Sequence, residues 1–338
     1  MLLFFNSLTH FFVDALCITT LFSAGLEGEA SFLAVVAYNT LAFSTQCLVG
    51  LLTDHVKRPL SFELGAMAAV ILGFALPLPA FVRIALVSQG NSFFHVAAGT
   101  MTLEDSRGQA RALGIFVAPG AFGVTLGSCF PSFGWPLAAG LLLCGAAVAY
   151  FYPRRPATLE YRVESERGLP RFPLCAVLLL TAAVAIRALG GSAVSFPWKT
   201  GAGAAFLMTG FVFAGKVLGG FLCDRLKPGR TALISLLPAA VCIAFFADYA
   251  LPSLIGQLLL NLTMPVTLWL MFEAMPEAPG FAFGLAASAL WPGTIAGMLL
   301  QLSGPALRVC ELGTILFGLA AILLSEKQIH QIKGELLT

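Results

Sequence analysis

The sequence predicts an all-α polytopic membrane protein with about twelve transmembrane helices. Three observations carry this expectation. Hydrophobic residues make up 58% of the 338 residues, charged residues only 11%, and mean hydropathy is +0.90. A soluble domain averages roughly 45–50% apolar and about 25% charged residues, so this chain has too little polar surface to coat a water-soluble particle. The apolar runs are also continuous, as in 174–189 and 232–247, which selects helices over the alternating strands of a barrel. Finally, Gly, Pro and charged residues punctuate the runs at intervals of about 20 residues, the length of one crossing.

In chain order the spans fall near 2–24, 32–52, 60–77, 80–102, 110–130, 136–152, 173–190, 202–223, 231–247, 251–274, 281–303 and 306–325. The first run lacks a basic leader and carries His10 and Asp14, so it reads as a retained span and not a signal peptide. Most connections are a few residues long. The exception is 153–172, which is polar and holds Arg154, Arg155, Arg162, Arg167 and Arg171. It divides the chain into an N-terminal six-helix half (1–152) and a C-terminal one (173–338).

Basic residues set the orientation. With the N-terminus inside, one side collects Lys57, Arg58, Arg107, Arg111, the five loop arginines, Arg225, Lys227, Arg230, Lys327 and Lys333, and the other only Arg83, Lys199 and Arg308. Both termini and the long loop are therefore expected in the cytoplasm, with the chain in a cell membrane, most simply a bacterial cytoplasmic membrane. The eight cysteines are scattered through apolar runs without a CxxC pair or a His at metal-ligand spacing, and read as small packing residues. No basic segment suggests nucleic acid, no phosphate loop or nucleophile–base set suggests an enzyme, and no metal or cofactor is called for. Asn261-Leu-Thr263 matches a glycosylation pattern but lies within a span.

An internal repeat is visible. Gly50-Leu-Leu-Thr-Asp54-His-Val-Lys-Arg58 closes the second span, and Gly220-Phe-Leu-Cys-Asp224-Arg225-Leu-Lys227 closes the eighth, half a chain away on the same side. Parallel repeats of this kind are a transporter architecture. Both copies resemble the G-x-L-A-D-R-x-G-R-R loop motif of the major facilitator superfamily; the second, with Arg230 following, is the better match. Within that superfamily the first half is similar to the fosmidomycin-resistance branch. His10-Phe-Phe-Val-Asp14 resembles its H-x-x-x-D, Gly90-Asn-Ser-Phe-Phe94-His95 its G-x-x-x-FHP, and Pro119-Gly120-Ala-Phe-Gly123-x-x-x-Gly127 its G-G-N-F-G-x-x-x-G. Val96 stands where the branch has proline, and Pro119 and Ala121 stand where it has Gly and Asn. The resemblance implies the major facilitator fold, with two pseudo-symmetric halves rocking around a central site lined by helices 1, 4, 7 and 10. It implies a monomeric secondary transporter, embedded in lipid and working on protons and a small-molecule substrate. Efflux of a small organic or amphipathic compound is the leading version; uptake of a small organic anion and a non-transporting sensor or scaffold are the alternatives.

Ionisable side chains in hydrocarbon are costly and mark such sites. His10 and Asp14 share one helical face, and His95 on the fourth span reaches about the same depth. These three are candidate proton and substrate ligands, and imidazole titrates near neutrality. Arg187 in the seventh span requires an acidic partner, an anionic substrate or a route to the interface. Gln257 and Asn261 form an i, i+4 pair on the tenth span, and Asn91 lies one turn from His95; both sets can bind substrate or join helices. Asp54, Arg58, Asp224, Arg225 and Arg230 are candidate gate residues through charge-assisted bonds, with Lys216 and Glu273 in the same layer. Gly114, Gly120, Gly123 and Gly127 allow close helix approach, Pro119 and Trp291-Pro292-Gly293 mark bends, and Glu63, Arg308 and Glu311 read as interface residues.

The topology is testable directly. In a background without other cysteines, single cysteines at Glu29 and Glu160 are expected to react with impermeant reagent from opposite faces of the membrane. Labelling of both from outside intact cells would reject the orientation.

Overall fold

The computed structural model describes residues 1–106, 108–154, 172–300 and 302–334, so Arg107 and most of the predicted linker, including Arg155, Arg162, Arg167 and Arg171, lie outside the described residues. The described chain is helical, without strands. The helices are α1 (Leu2–Phe22), α2 (Gly28–Val56), α3 (Pro59–Ala75), α4 (Ala80–Asp105), α5 (Ala110–Cys129) and α6 (Gly134–Phe151), followed by α7 (Leu174–Ala193), α8 (Gly201–Leu226), α9 (Pro228–Phe246), α10 (Ala250–Ala274), α11 (Pro279–Leu299) and α12 (Gly304–Gly334). Ten of the helical stretches are long and apolar enough to cross a membrane; α3 is shorter, and α4 carries more polar residues. Proline at the first helical position starts α3, α9 and α11, where its missing N–H costs nothing.

Several helices start or end a few residues from their sequence boundaries, the longest extension being that of α12. α2 begins at Gly28, α11 ends at Leu299, and α12 continues to Gly334. Apolar content falls after 325, which suggested an end, but the added turns bury Ile329 and Ile332 and hold charges on the other face. Glu326 there accepts the Gly229 backbone N–H at 2.9 Å, capping the start of α9.

Packing repeats with the chain. α1 lies against α5 and α6, as α7 lies against α11 and α12; α3 pairs with α4, as α9 pairs with α10. The most extensive contacts between the first six helices and the last six are α5 with α8 and α2 with α11, with smaller ones between α4 and α11 and between α5 and α10. At each of the two larger contacts, a motif glycine lets backbones touch. A Cβ on Gly50 would strike the backbone of Gly280 and Phe281, and one on Gly220 the backbone of Ala110 and Arg111. One turn further on, the motif aspartates cap the opposing helices. Asp54 accepts the Gly280 and Phe281 N–H groups, both at 2.7 Å, at the start of α11. Asp224 accepts those of Ala110 (2.9 Å) and Arg111 (3.1 Å) at the start of α5. A carboxylate at a helix N-terminus meets both the orphan N–H groups and the positive end of the dipole.

The α2–α11 contact holds a second device. Residues Thr40–Ser44 of α2 form a π turn, which leaves backbone groups without their usual partners. Ser288 of α11 answers them, donating to Phe43 O at 2.9 Å and accepting the Cys47 N–H at 2.8 Å. Trp291 Nε1 donates to Thr40 Oγ1 at 2.9 Å one turn further out.

The aspartate caps close the end of the bundle that carries the termini. Hydrogen bonds to charged groups contribute about 1.5–3 kcal/mol each, and about 1.4 kcal/mol is a tenfold change in an equilibrium. Combined Asp54→Asn and Asp224→Asn should therefore raise the labelling of a single cysteine at Leu268, on the cavity wall, at least tenfold from the termini side. Unchanged labelling would reduce the pair to a role in folding.

Candidate substrate and proton site

A cavity of about 480 Å³ lies between the two sets of helices. It runs from mid-bundle towards the end opposite the termini, where Phe22 and Ser128, near the ends of α1 and α5, line it. Most of its wall is apolar, including Val35, Val184, Met264, Leu268 and Leu290. His10, Asp14, Asn91, His95, Arg187 and Lys216 are its polar features of consequence, so five of the predicted ligands share one space.

The first-half residues form a single cluster. α1 supplies His10 and Asp14, one turn apart, with the two side chains 3.2 Å apart. α4 supplies Asn91 and His95, also one turn apart. Asn91 Nδ2 donates to Asp14 Oδ1 at 2.9 Å, and His95 Nε2 lies 3.7 Å from the same oxygen. The two imidazoles meet Nε2 to Nε2 at 2.8 Å. Each ring's other nitrogen faces a backbone carbonyl, His10 Nδ1 with Phe116 O at 2.8 Å and His95 Nδ1 with Asn91 O at 2.9 Å. A carbonyl only accepts, so each Nδ1 carries hydrogen and donates. In two neutral rings both Nε2 atoms would then present lone pairs to each other. One added proton converts that repulsion into an N–H···N hydrogen bond, and the Asp14 carboxylate neutralises the resulting charge. The arrangement thus has the geometry of a one-proton site.

The two imidazoles and the carboxylate also converge as ligands of a transition metal do, within 4.8 Å of one another. With metal–nitrogen bonds of about 2.0–2.1 Å, two nitrogens on one tetrahedral centre stand about 3.3 Å apart. The 2.8 Å contact is shorter than this tetrahedral spacing and matches the length of an N–H···N hydrogen bond.

Room for the cluster comes from α5. Gly120 faces it, and a Cβ there would overlap Asp14 Oδ2 and His10 Nε2; Gly123 and Gly127 bring the α5 backbone onto that of α1. The predicted close approach of the fifth helix therefore acts on the first.

Other predicted residues fall elsewhere. Gln257 and Asn261 bond to each other, Asn261 Nδ2 donating to Gln257 O at 2.8 Å, and neither lines the cavity; α10 turns them towards α8, where Gly215 packs on Asn261. Lys216 does not belong to the gate layer. α8 continues ten residues beyond it, about 15 Å, which lifts Lys216 to the cavity wall. Glu273 is at the termini end but pairs with Lys333 of α12, within the last six helices. Arg58, Arg225 and Arg230 are exposed and make no ion pair among the described residues, so the motif contacts between the two sets of helices at this end run from carboxylates to helix N-termini and not between charged side chains. Tyr38, Asn39, Gln46 and Thr267 line the cavity without having been singled out as ligands. The π turn beside Asn39 was the missed signal, and hydropathy does not register it.

No protein-family model matches the sequence, and no curated protein matches it. Solved structures do match. A variant of the Escherichia coli fucose:proton symporter FucP shares 14% identity at a TM-score of 0.69, over 96% of this chain and 97% of that one. A second FucP structure, described as a major facilitator superfamily transporter in the outward conformation, shares 14% identity at a TM-score of 0.63 with the same coverage. The fold is that of the major facilitator superfamily. At this identity the likeness reaches the fold, and it does not extend to the fosmidomycin-resistance branch that the first half resembles.

Gly120→Ala tests the cluster. The added methyl should separate His10 from Asp14 and break the imidazole pair, seen as loss of the shared-proton signal in NMR of ¹⁵N-histidine-labelled protein. Gly191→Ala, a helical glycine with open space around it, should leave the spectrum unchanged and stabilise slightly, by up to about 1 kcal/mol. A wild-type spectrum in Gly120→Ala would show that the packing leaves the cluster free.

Proposed function

We propose that the protein is a proton-coupled secondary transporter of a small organic compound, working by alternating access. The observation that carries this reading is the contact between His10 and His95, which needs one proton, inside a cavity large enough for a small molecule. A scaffold has no use for such a group in hydrocarbon, where ionisable side chains are costly. The two six-helix halves, 1–152 and 173–338, would rock about the α2–α11 and α5–α8 contacts. The Asp54 and Asp224 caps hold the termini end shut in this state, and their release would open it. Each half presents one such cap to a helix of the other, so both break in one movement.

Efflux is the direction we propose, supported by the first-half resemblance and by the apolar cavity wall, which suits an amphipathic compound. A second reading, uptake with a proton, draws on the symporter among the structures of like fold. In either direction the termini would lie in the cytoplasm, as the basic residues suggest.

The test is Asp14→Asn in liposomes. Without the carboxylate the shared proton loses its counter-charge, so accumulation driven by a pH gradient should be abolished. Substrate exchange, which needs only the rocking motion, should continue. An unchanged response to the pH gradient would place the coupling group elsewhere.

A further inference from the structure

The cavity carries two cations from the second half. Arg187 of α7 and Lys216 of α8 both line it. Their polar contacts are with neutral groups and long: Lys216 Nζ donates to Val117 O at 3.3 Å, and Arg187 Nη1 reaches Thr263 Oγ1 at 3.5 Å. Neither forms an ion pair among the described residues. Among the described residues Asp14 is the only acidic side chain on the cavity wall, and its oxygens already serve Asn91 and the histidines. A guanidinium and an ammonium are thus held at an apolar wall with no side chain to neutralise them. Both are half-buried on the wall of a cavity that leads to the end opposite the termini, where a ligand of opposite charge can reach them. The planar fork of Arg187 suits an oxyanion taken in two parallel hydrogen bonds, and Lys216 suits a point contact beside it. Around them Val184, Met264, Leu268 and Leu290 offer apolar surface, and about 480 Å³ falls within the size range of small-molecule sites.

We propose that the transported compound is an amphipathic organic anion, with one carboxylate-type oxyanion held by Arg187 and Lys216 and an apolar body against the surrounding wall. This rests on the transporter reading for the word transported, but the binding claim stands apart from it. The first half would then hold the proton and the second half the anion, so that loading the two together leaves the net charge of the cavity unchanged.

The experiment uses the purified full-length chain in detergent and matched probes that share a body and differ in head group: 3-phenylpropionate, 3-phenylpropanol and 3-phenylpropylamine, with a naphthyl set of the same three. Binding is read by calorimetry. In each set the anion should bind at least tenfold more tightly than the alcohol, and the amine least. Arg187→Gln and Lys216→Gln should each weaken the anion at least tenfold and leave the alcohol unchanged, with Arg187→Lys intermediate. Gel filtration and melting curves identify any variant that fails to fold, and the wild-type ranking of head groups decides the matter without variants. No preference for the anion over the alcohol would overturn the proposal, as would anion affinity that both Gln variants leave unchanged. Anion binding without movement of the anion across liposomes would overturn the transporter reading and leave the binding site standing.

Discussion

Hydrocarbon offers no hydrogen bonds, so every polar group inside this bundle needs a partner from the chain itself or from what the chain carries. Helices meet that demand for the backbone within each span. Where the helix is interrupted, another helix supplies what is missing. Ser288 serves the π turn of α2, and Asp54, Asp224 and Glu326 serve the first N–H groups of α11, α5 and α9. The same demand explains the short chain of bonds from Phe116 O through His10 and His95 to Asn91 O, in which each ring nitrogen is accounted for once a proton joins the two. Glu63 is an exception, buried on α3 with neither carboxyl oxygen bonded; its neighbours give no account of it.

The gate follows from the repeat. A Gly-x-x-x-Asp step on a helix puts a flat spot and a carboxylate on one face, one turn apart. The flat spot lets the start of an opposing helix come close enough for the carboxylate to cap it. Bulk at the glycine would defeat the aspartate, so neither residue works alone. Because the step occurs once in each half and reaches into the other, the two caps form a reciprocal pair across one interface.

Much of this was legible in the sequence, because the signals were periodic or costly. Apolar runs of crossing length gave the spans, the repeated Gly and Asp marked two matching contacts between the halves, and His10, Asp14 and His95 stood out as ionisable groups in hydrocarbon at matching depth. What escaped was set by rotation and termination. Gln257 and Asn261 can bind substrate or join helices in a linear reading; in the structure they bond to each other and Asn261 packs on Gly215 of α8, away from the cavity wall. Lys216 seemed close to a helix end until the length of α8 moved it to the cavity. The last turns of α12 are amphipathic, so loss of apolar content did not mark their end. Ser288 carries no signal of its own, since its role exists only opposite a π turn whose position depends on backbone register.

The cavity divides its charges by half, and α5 stands between them. Phe116 O accepts the His10 ring, and the next carbonyl, Val117 O, accepts Lys216 from across the interface. Adjacent carbonyls of a helix cannot move independently, because both belong to the same run of backbone hydrogen bonds. A shift of the His10 ring on gaining or losing a proton therefore acts on the helix segment that also positions Lys216. Pro119 and Gly120 follow at once, a site where a helix bends easily and where the cluster presses on the backbone. Proton and anion need not touch to sense each other. In the proposed reading the side chains that would hold them, His10 and Lys216, bond to neighbouring peptide groups of one helix, at the interface about which the halves would rock.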